Sequence, residues 1–273
     1  MRPMRRVQLL AAAAVLSAAL PARAQTWNLV WSDEFNSAAG TFPDTTKWNY
    51  DVGNNNGWGN GESEFYCVAG SNAAPCSAAN PNVFMNGSGS LVIRARRDAA
   101  GTWTSTRMLT SGKFSIQYGR IEARMRLVAA NGLWPAFWML GENIDRAGWP
   151  TSGELDILEN KGSQPTLTSS AVHGPGYSGN TPFAHVTTAT ATEFHVYAVE
   201  WDTQSIRYYV DNTLHYTVSR GQVQQYGTWV FDQAFFVVLN QAVGGHFDGN
   251  PQSASIFPAT MLIDYVRVYR RTV

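Results

Sequence analysis

The sequence predicts an all-β fold of packed antiparallel sheets, on three observations. Short apolar-alternating runs recur along the chain, Gly, Asn, Asp and Ser punctuate them, and helical periodicity is nearly absent. Strands of this kind bury their apolar faces by pairing into two stacked sheets. No internal repeat, linker or low-complexity tract divides the chain, so one large domain is expected.

The elements follow in order. Arg2, Arg5 and Arg6 precede an apolar run over residues 7–20, and Ala22-Arg23-Ala24 has the small-x-small form of a signal-peptidase site. The run is shorter than the ~20 residues of a membrane-spanning helix. Residues 1–24 are therefore expected to be a removed export signal, with no membrane insertion after cleavage. Arg5-Arg6 ahead of Leu9-Leu10 leaves Sec and twin-arginine export both open. The remainder, 273 − 24 = 249 residues over 25–273, fits a single β domain of roughly 200–250 residues. Runs at 91–96, 119–127, 192–201, 205–210, 235–239 and 261–269 read as strands. A turn or two of helix around 222–225 or 250–254 is the most that the pattern allows.

Composition narrows the function. Twenty Lys and Arg balance twenty Asp and Glu, which gives no attraction to nucleic acid or to an anionic membrane. Charged residues reach only 15 %, whereas Phe, Trp and Tyr reach 12 %, with ten tryptophans. Flat aromatic faces suit the apolar faces of pyranose rings. Cys67 and Cys76 would close a small Ala-, Ser- and Asn-rich loop, and in an exported chain they are expected to form a disulfide. A two-thiolate metal site lacks His partners nearby.

The chemistry concentrates in Glu154-Leu155-Asp156-Ile157-Leu158-Glu159. In a strand, side chains i and i+2 share a face, so Glu154 and Asp156 point the same way. Glu159, five positions on, would face the opposite side unless one extra residue at Ile157-Leu158 made a β-bulge. With that bulge the two Glu Cα atoms lie about four strand steps apart, roughly 13 Å. Side chains leaning toward each other would then close to the ~5–5.5 Å of a retaining glycosidase more readily than the ~6.5–9.5 Å of an inverting one. Calcium, which takes six to eight oxygens from flexible loops, is poorly served by such a strand.

The segment resembles the E-x-D-x-x-E signature of glycoside hydrolase family 16, in its laminarinase-like branch. The likeness extends through Trp31-Ser32-Asp33-Glu34-Phe35, Trp58-Gly59-Asn60-Gly61-Glu62 and Gly89-Ser90-Leu91-Val92-Ile93. It continues through the stretches at 118–125 and 132–141 and closes with Leu239-Asn240-Gln241-Ala242-Val243-Gly244-Gly245 and Asp264-Tyr265-Val266-Arg267-Val268-Tyr269. The resemblance implies a concanavalin-like β-jelly roll with a cleft across the concave sheet and paired first and last strands. It implies Glu154 as nucleophile, Glu159 as acid/base and Asp156 as auxiliary, with Asn60, Trp134, Trp138, Trp149, His173, Asn240 and Gln241 binding sugar. It also implies a structural calcium at Glu34 and Asp264, with no cofactor needed for catalysis.

Two positions depart from the pattern. Glu64 stands where an amide is common, which puts a charge near the non-reducing side, and Lys113 replaces an Arg. The expected protein is a secreted or periplasmic monomer, a retaining endo-β-1,3-glucanase acting on laminarin-type β-glucans. Lichenase, agarase or transglycosylase specificity is the alternative within the family. A glucan-binding lectin is the alternative from another class, and such relatives lose the acids that this chain keeps. No G-x-S-x-G turn supports an acyl hydrolase.

Overall fold

The computed structural model describes residues 26–272, so the expected export signal lies outside the described residues. Within them, two antiparallel-dominated sheets carry the fold. The strands are β1 (Trp27–Asp33), β2 (Asn49–Asp51), β3 (Phe65–Tyr66), β4 (Val83–Met85), β5 (Leu91–Arg97), β6 (Trp103–Ser105), β7 (Arg107–Leu109), β8 (Gly119–Arg126) and β9 (Leu133–Gly141). They continue with β10 (Glu154–Glu159), β11 (Leu167–His173), β12 (Ala184–Thr188), β13 (His195–Trp201), β14 (Ser205–Val210), β15 (Thr213–Ser219), β16 (Phe235–Val243) and β17 (Ala259–Arg271). The first sheet runs β15-β14-β13-β8-β17-β5-β6-β3, with β1 beside β17 and β4 beside β5. The second runs β12-β11-β10-β9-β16-β7-β2 and has the acid-bearing strand near its centre.

Period-two patterning explains which faces meet. Ile121, Ala123 and Met125 of β8 enter one core with Phe137 and Met139 of β9, Val172 of β11 and Val237 and Leu239 of β16. Each fully buried aliphatic or aromatic side chain contributes about 1.5–3 kcal/mol. The alternate positions of β8 face outward and pair by charge: Arg120 bonds Glu122 and Glu200 at 2.8 and 2.9 Å. The opposite face of the second sheet carries Trp134, Trp138, Asn240 and the acids.

Helix is confined to single turns. Ser219 accepts from Gln222 N–H and closes a capping box on α1 (Arg220–Val223), close to the turn expected at 222–225. The turn expected at 250–254 forms slightly later, as a 3₁₀ turn at Ala254–Ile256. The first and last strands pair as expected, from Trp27 opposite Arg271 to Asp33 opposite Val266. Cys67 and Cys76 are joined, with Cα atoms 5.7 Å apart.

Candidate active site

The three acids reach one face because β10 carries an extra residue. Asp156 pairs with Trp138 of β9 and Leu158 with Phe137, so two steps on β10 match one on its neighbour. On the other side, Asp156 to Glu159 spans Ala171 to Ser169 of β11. The bulge therefore falls at Ile157. Leu155, Ile157 and Leu158 all point into the core, which leaves Glu154, Asp156 and Glu159 on the face with Trp134 and Trp138. Glu154 and Glu159 sit opposite Leu140 and Ala136, four steps apart on β9, a span of roughly 13 Å between Cα atoms.

An indole holds each outer acid. The Trp149 N–H donates to Glu154 Oε2 at 3.0 Å, and the Trp134 N–H donates to Glu159 Oε1 at 3.1 Å. Trp149 stands on the segment leading into β10 and is half exposed, its ring 6.2 Å from that of His173. That segment needs Gly153, whose φ is +74° and where a Cβ would lie 2.8 Å from Val230 Cγ2. His173, opposite Glu154 on β11, places Nε2 3.0 Å from Asp156 Oδ2 and 3.9 Å from Glu154 Oε1. The approach to Asp156 Oδ2 is close but lacks the alignment of a hydrogen bond.

Crowding makes these carboxyls hold their protons. Burial pushes Glu154 up to about 8, with the Asp156 charge adding, while His173 and the Trp149 N–H pull the other way. Burial likewise raises Glu159 to about 8, again with Asp156 adding and His173 and the Trp134 N–H opposing. Asp156 rises to about 7 through burial, against a hydrogen bond with Glu154 that favours its charged form. The three titrate as one cluster, and near neutral pH it retains protons that exposed acids would have lost. Among the described residues, Glu154, Asp156 and His173 are also the one trio whose ligand atoms lie within 4.8 Å of one another.

A second polar group extends the same face. Asn240 of β16 accepts from the Trp138 N–H at 2.7 Å and donates to Tyr66 Oη at 3.1 Å. Tyr66 donates to Glu62 at 2.8 Å, Arg107 pairs with Glu62 at 3.0 Å, and Asn60 donates to Glu62 at 3.0 Å. Arg107, Asn240, Ala136 and Glu159 lie in one register row across β7, β16, β9 and β10. Glu62, Tyr66 and Arg107 were not candidates from sequence. Glu62 and Arg107 are forty-five positions apart, and no local spacing links them.

Three expectations are corrected. Gln241 does not join the cleft: it is fully buried and donates to the Ala259 carbonyl at 3.0 Å. Adjacent residues of a strand face opposite ways, so Asn240 on the cleft side puts Gln241 on the other. Glu64 presents no charge to substrate. It is fully buried, accepts from the Val243 N–H at 2.6 Å, and is raised to about 8 by burial and by Glu62. Glu34 accepts two bonds from Arg267, at 3.0 and 2.7 Å, and Asp264 accepts from Arg124 at 2.7 Å. Guanidinium groups thus occupy the carboxylates expected to hold calcium, and this donor set does not fit the ion. Lys113 is exposed in the turn after β7, with β16 and β9 between β7 and the acids.

Comparison with known proteins agrees with the geometry. The family described as Glycosyl hydrolases family 16 matches residues 70–265. The chain is 40 % identical over 261 residues to a β-glucanase of Rhodothermus marinus, covering 91 % of this chain and 87 % of that protein. It is 37 % identical to glucan endo-1,3-beta-glucosidase A1 of Niallia circulans, covering 89 % of this chain and 38 % of that longer protein. The laminarinase catalytic domain of Thermotoga maritima superposes with a TM-score of 0.80 at 40 % identity, over 90 % of this chain and 99 % of that one. With such neighbours, the two-sheet sandwich is a β-jelly roll and the protein is a glycoside hydrolase. By its matched sequence and its fold, the chain belongs to glycosyl hydrolases family 16.

Proposed function

We propose that this protein is an exported, retaining endo-β-1,3-glucanase acting on laminarin-type glucans. The observation that carries the reading is the set of three acids on one face of a bulged strand, each outer one held by an indole N–H. In this reading the reactive form of the cluster keeps its proton on Glu159 and leaves Glu154 a carboxylate, which attacks the anomeric carbon while Glu159 protonates the departing glycosidic oxygen. The C–O bond to the leaving sugar breaks as the ester to Glu154 forms. Glu159 then takes a proton from water, which attacks the same carbon and releases Glu154.

The electrostatics suit these roles. Glu159 can begin as an acid because burial and Asp156 keep it protonated near neutral pH. Esterification removes the Glu154 charge, which also raises Glu159, so Glu159 stays a carboxylate after the first step and can take the proton of water in the second. Asp156 hydrogen-bonds Glu154 and adjusts both partners. Trp149, Trp134 and Trp138 offer stacking surfaces, and Asn60, Asn240 and His173 offer hydrogen bonds to hydroxyls. Carboxyl groups alone perform this chemistry.

Residues 1–24 are assigned to export and 25–273 to the catalytic domain. Support comes from the basic and apolar start of the sequence and from the Cys67–Cys76 disulfide, which forms in oxidising compartments. Among the described residues no helix is long and apolar enough to cross a membrane. The test is reducing-sugar release from laminarin, curdlan, lichenan and agarose, with Glu154→Gln as control. Fastest release from laminarin supports the proposal. Faster release from agarose or lichenan reassigns the linkage, and glucan retention without release replaces the enzyme with a lectin.

A further inference from the structure

We propose that Asp248 is a positioning residue for Glu159, acting through Phe247 and Trp134. The inference rests on the reading of Glu159 as acid/base. Asp248 lies on the loop after β16. Its carboxylate accepts from the Gly132 N–H at 2.8 Å, from the Ser163 N–H at 3.0 Å and from the Ser163 hydroxyl. One carboxylate thereby ties the entry to β9, the exit from β10 and the loop beyond β16. A Cβ on Gly132 would sit 2.2 Å from Pro251 N, so the loops close backbone to backbone.

Phe247, the neighbour of Asp248, stacks on Trp134 with centroids 4.7 Å apart and planes at 29°. Lys161 Nζ lies 4.7 Å from the Phe247 centroid and confines that ring further. Trp134 in turn donates its N–H to Glu159 Oε1. Without Asp248 the loop carrying Phe247 keeps the His246 N–H to Asn60 and Gly244 N–H to Gly132 bonds but loses its ties to Ser163 and to the Gly132 N–H, so the stack loosens and the indole holds its donor on the carboxylate less firmly. That donor favours the charged form of Glu159. The other groups acting on Glu159 are Asp156 and Glu154 on its own strand and His173 on β11, and Tyr208 of the opposite sheet feels all three acids. None of these contacts Asp248 in the bonds described.

The experiment is the pH profile of kcat/KM on laminarin for wild type, Asp248→Ala, Asp248→Asn, Phe247→Leu and Trp134→Phe. Asp248→Ala is expected to lower kcat about tenfold with little change in KM. Its alkaline limb should move up by about half a pH unit, a threefold gain in proton affinity. Asp248→Asn, which keeps one acceptor oxygen, should recover part of the loss. Phe247→Leu leaves the Asp248 bonds in place and should reproduce the shift even if Asp248→Ala folds poorly. Trp134→Phe should shift the limb equally, and combining it with Asp248→Ala should add nothing. A lower melting temperature with an unmoved limb, or additive shifts, overturns the proposal. Activity persisting in Glu159→Gln would instead remove the underlying reading, whatever Asp248 does.

Discussion

Replacing Glu154 by glutamine is expected to abolish turnover and to stabilise the fold at neutral pH. The Glu154 carboxyl is pushed up to about 8 by burial and then by Asp156, against an ordinary value of 4.5. Below 4.5 the native and unfolded states both carry the proton. Between 4.5 and about 8 the native state binds more of it than the unfolded chain does, so stability falls as pH rises through that window. At pH 7 the interval from 4.5 is about 2.5 pH units, which at ~1.36 kcal/mol each costs about 3 kcal/mol. Asp156 and Glu159 share the same strain, so one substitution should release less, about 1–2 kcal/mol. A domain of this size gains roughly 2–4 °C per kcal/mol, which places the variant about 2–8 °C above wild type. Thermal melts at pH 7.5 and pH 4 provide the assay, with the gain present at the first and absent at the second. A variant that melts below wild type, or a gain of equal size at both pH values, refutes the reasoning.

Other outcomes follow from the same geometry. Asp156→Asn removes a charge that raises both Glu154 and Glu159, so the alkaline limb of kcat/KM should move to lower pH. Its loss of turnover should be smaller than that of either glutamate variant. Trp149→Ala removes a half-exposed ring; steady-state kinetics on laminarin should show KM rising about five- to tenfold, as expected for a stacking contact of ~1–1.5 kcal/mol. Gln241→Ala should leave KM unchanged and lower stability by about 1–3 kcal/mol, read by urea unfolding, because the buried Ala259 carbonyl loses its donor. Reduction of Cys67–Cys76 opens a loop of sequence separation 9, and a loss of about 2.5 kcal/mol is expected in the same assay.

Much of the architecture was legible because strands declare themselves locally. The runs at 91–96, 119–127 and 205–210 lie within one residue of β5, β8 and β14 at their ends, each with apolar residues on one parity. The bulge was legible for a sharper reason: acids at spacing two and then three share a face only if one residue is extra. Gln241 was misread although its parity against Asn240 already excluded a shared face. The Glu62–Arg107 pair and the burial of Glu64 were hidden because they arise where the segment at 62–64 meets β7 and the end of β16, far away in sequence. Arg267 and Arg124, which occupy Glu34 and Asp264, come from strand neighbours that only the sheet order brings together. The short strands β2, β3 and β6 were missed, since two or three residues carry no period.

The central claim is that one strand aims three carboxyls at a single sugar carbon so that two displacements succeed each other there. Proton NMR of laminarin digestion, recorded before mutarotation, tests it most directly through the anomeric configuration of the first new reducing ends. β-Configured ends that convert only later to the α/β mixture are expected. Initial release of the α anomer would mean a single inverting attack by water, and Glu154 would then have no nucleophilic role.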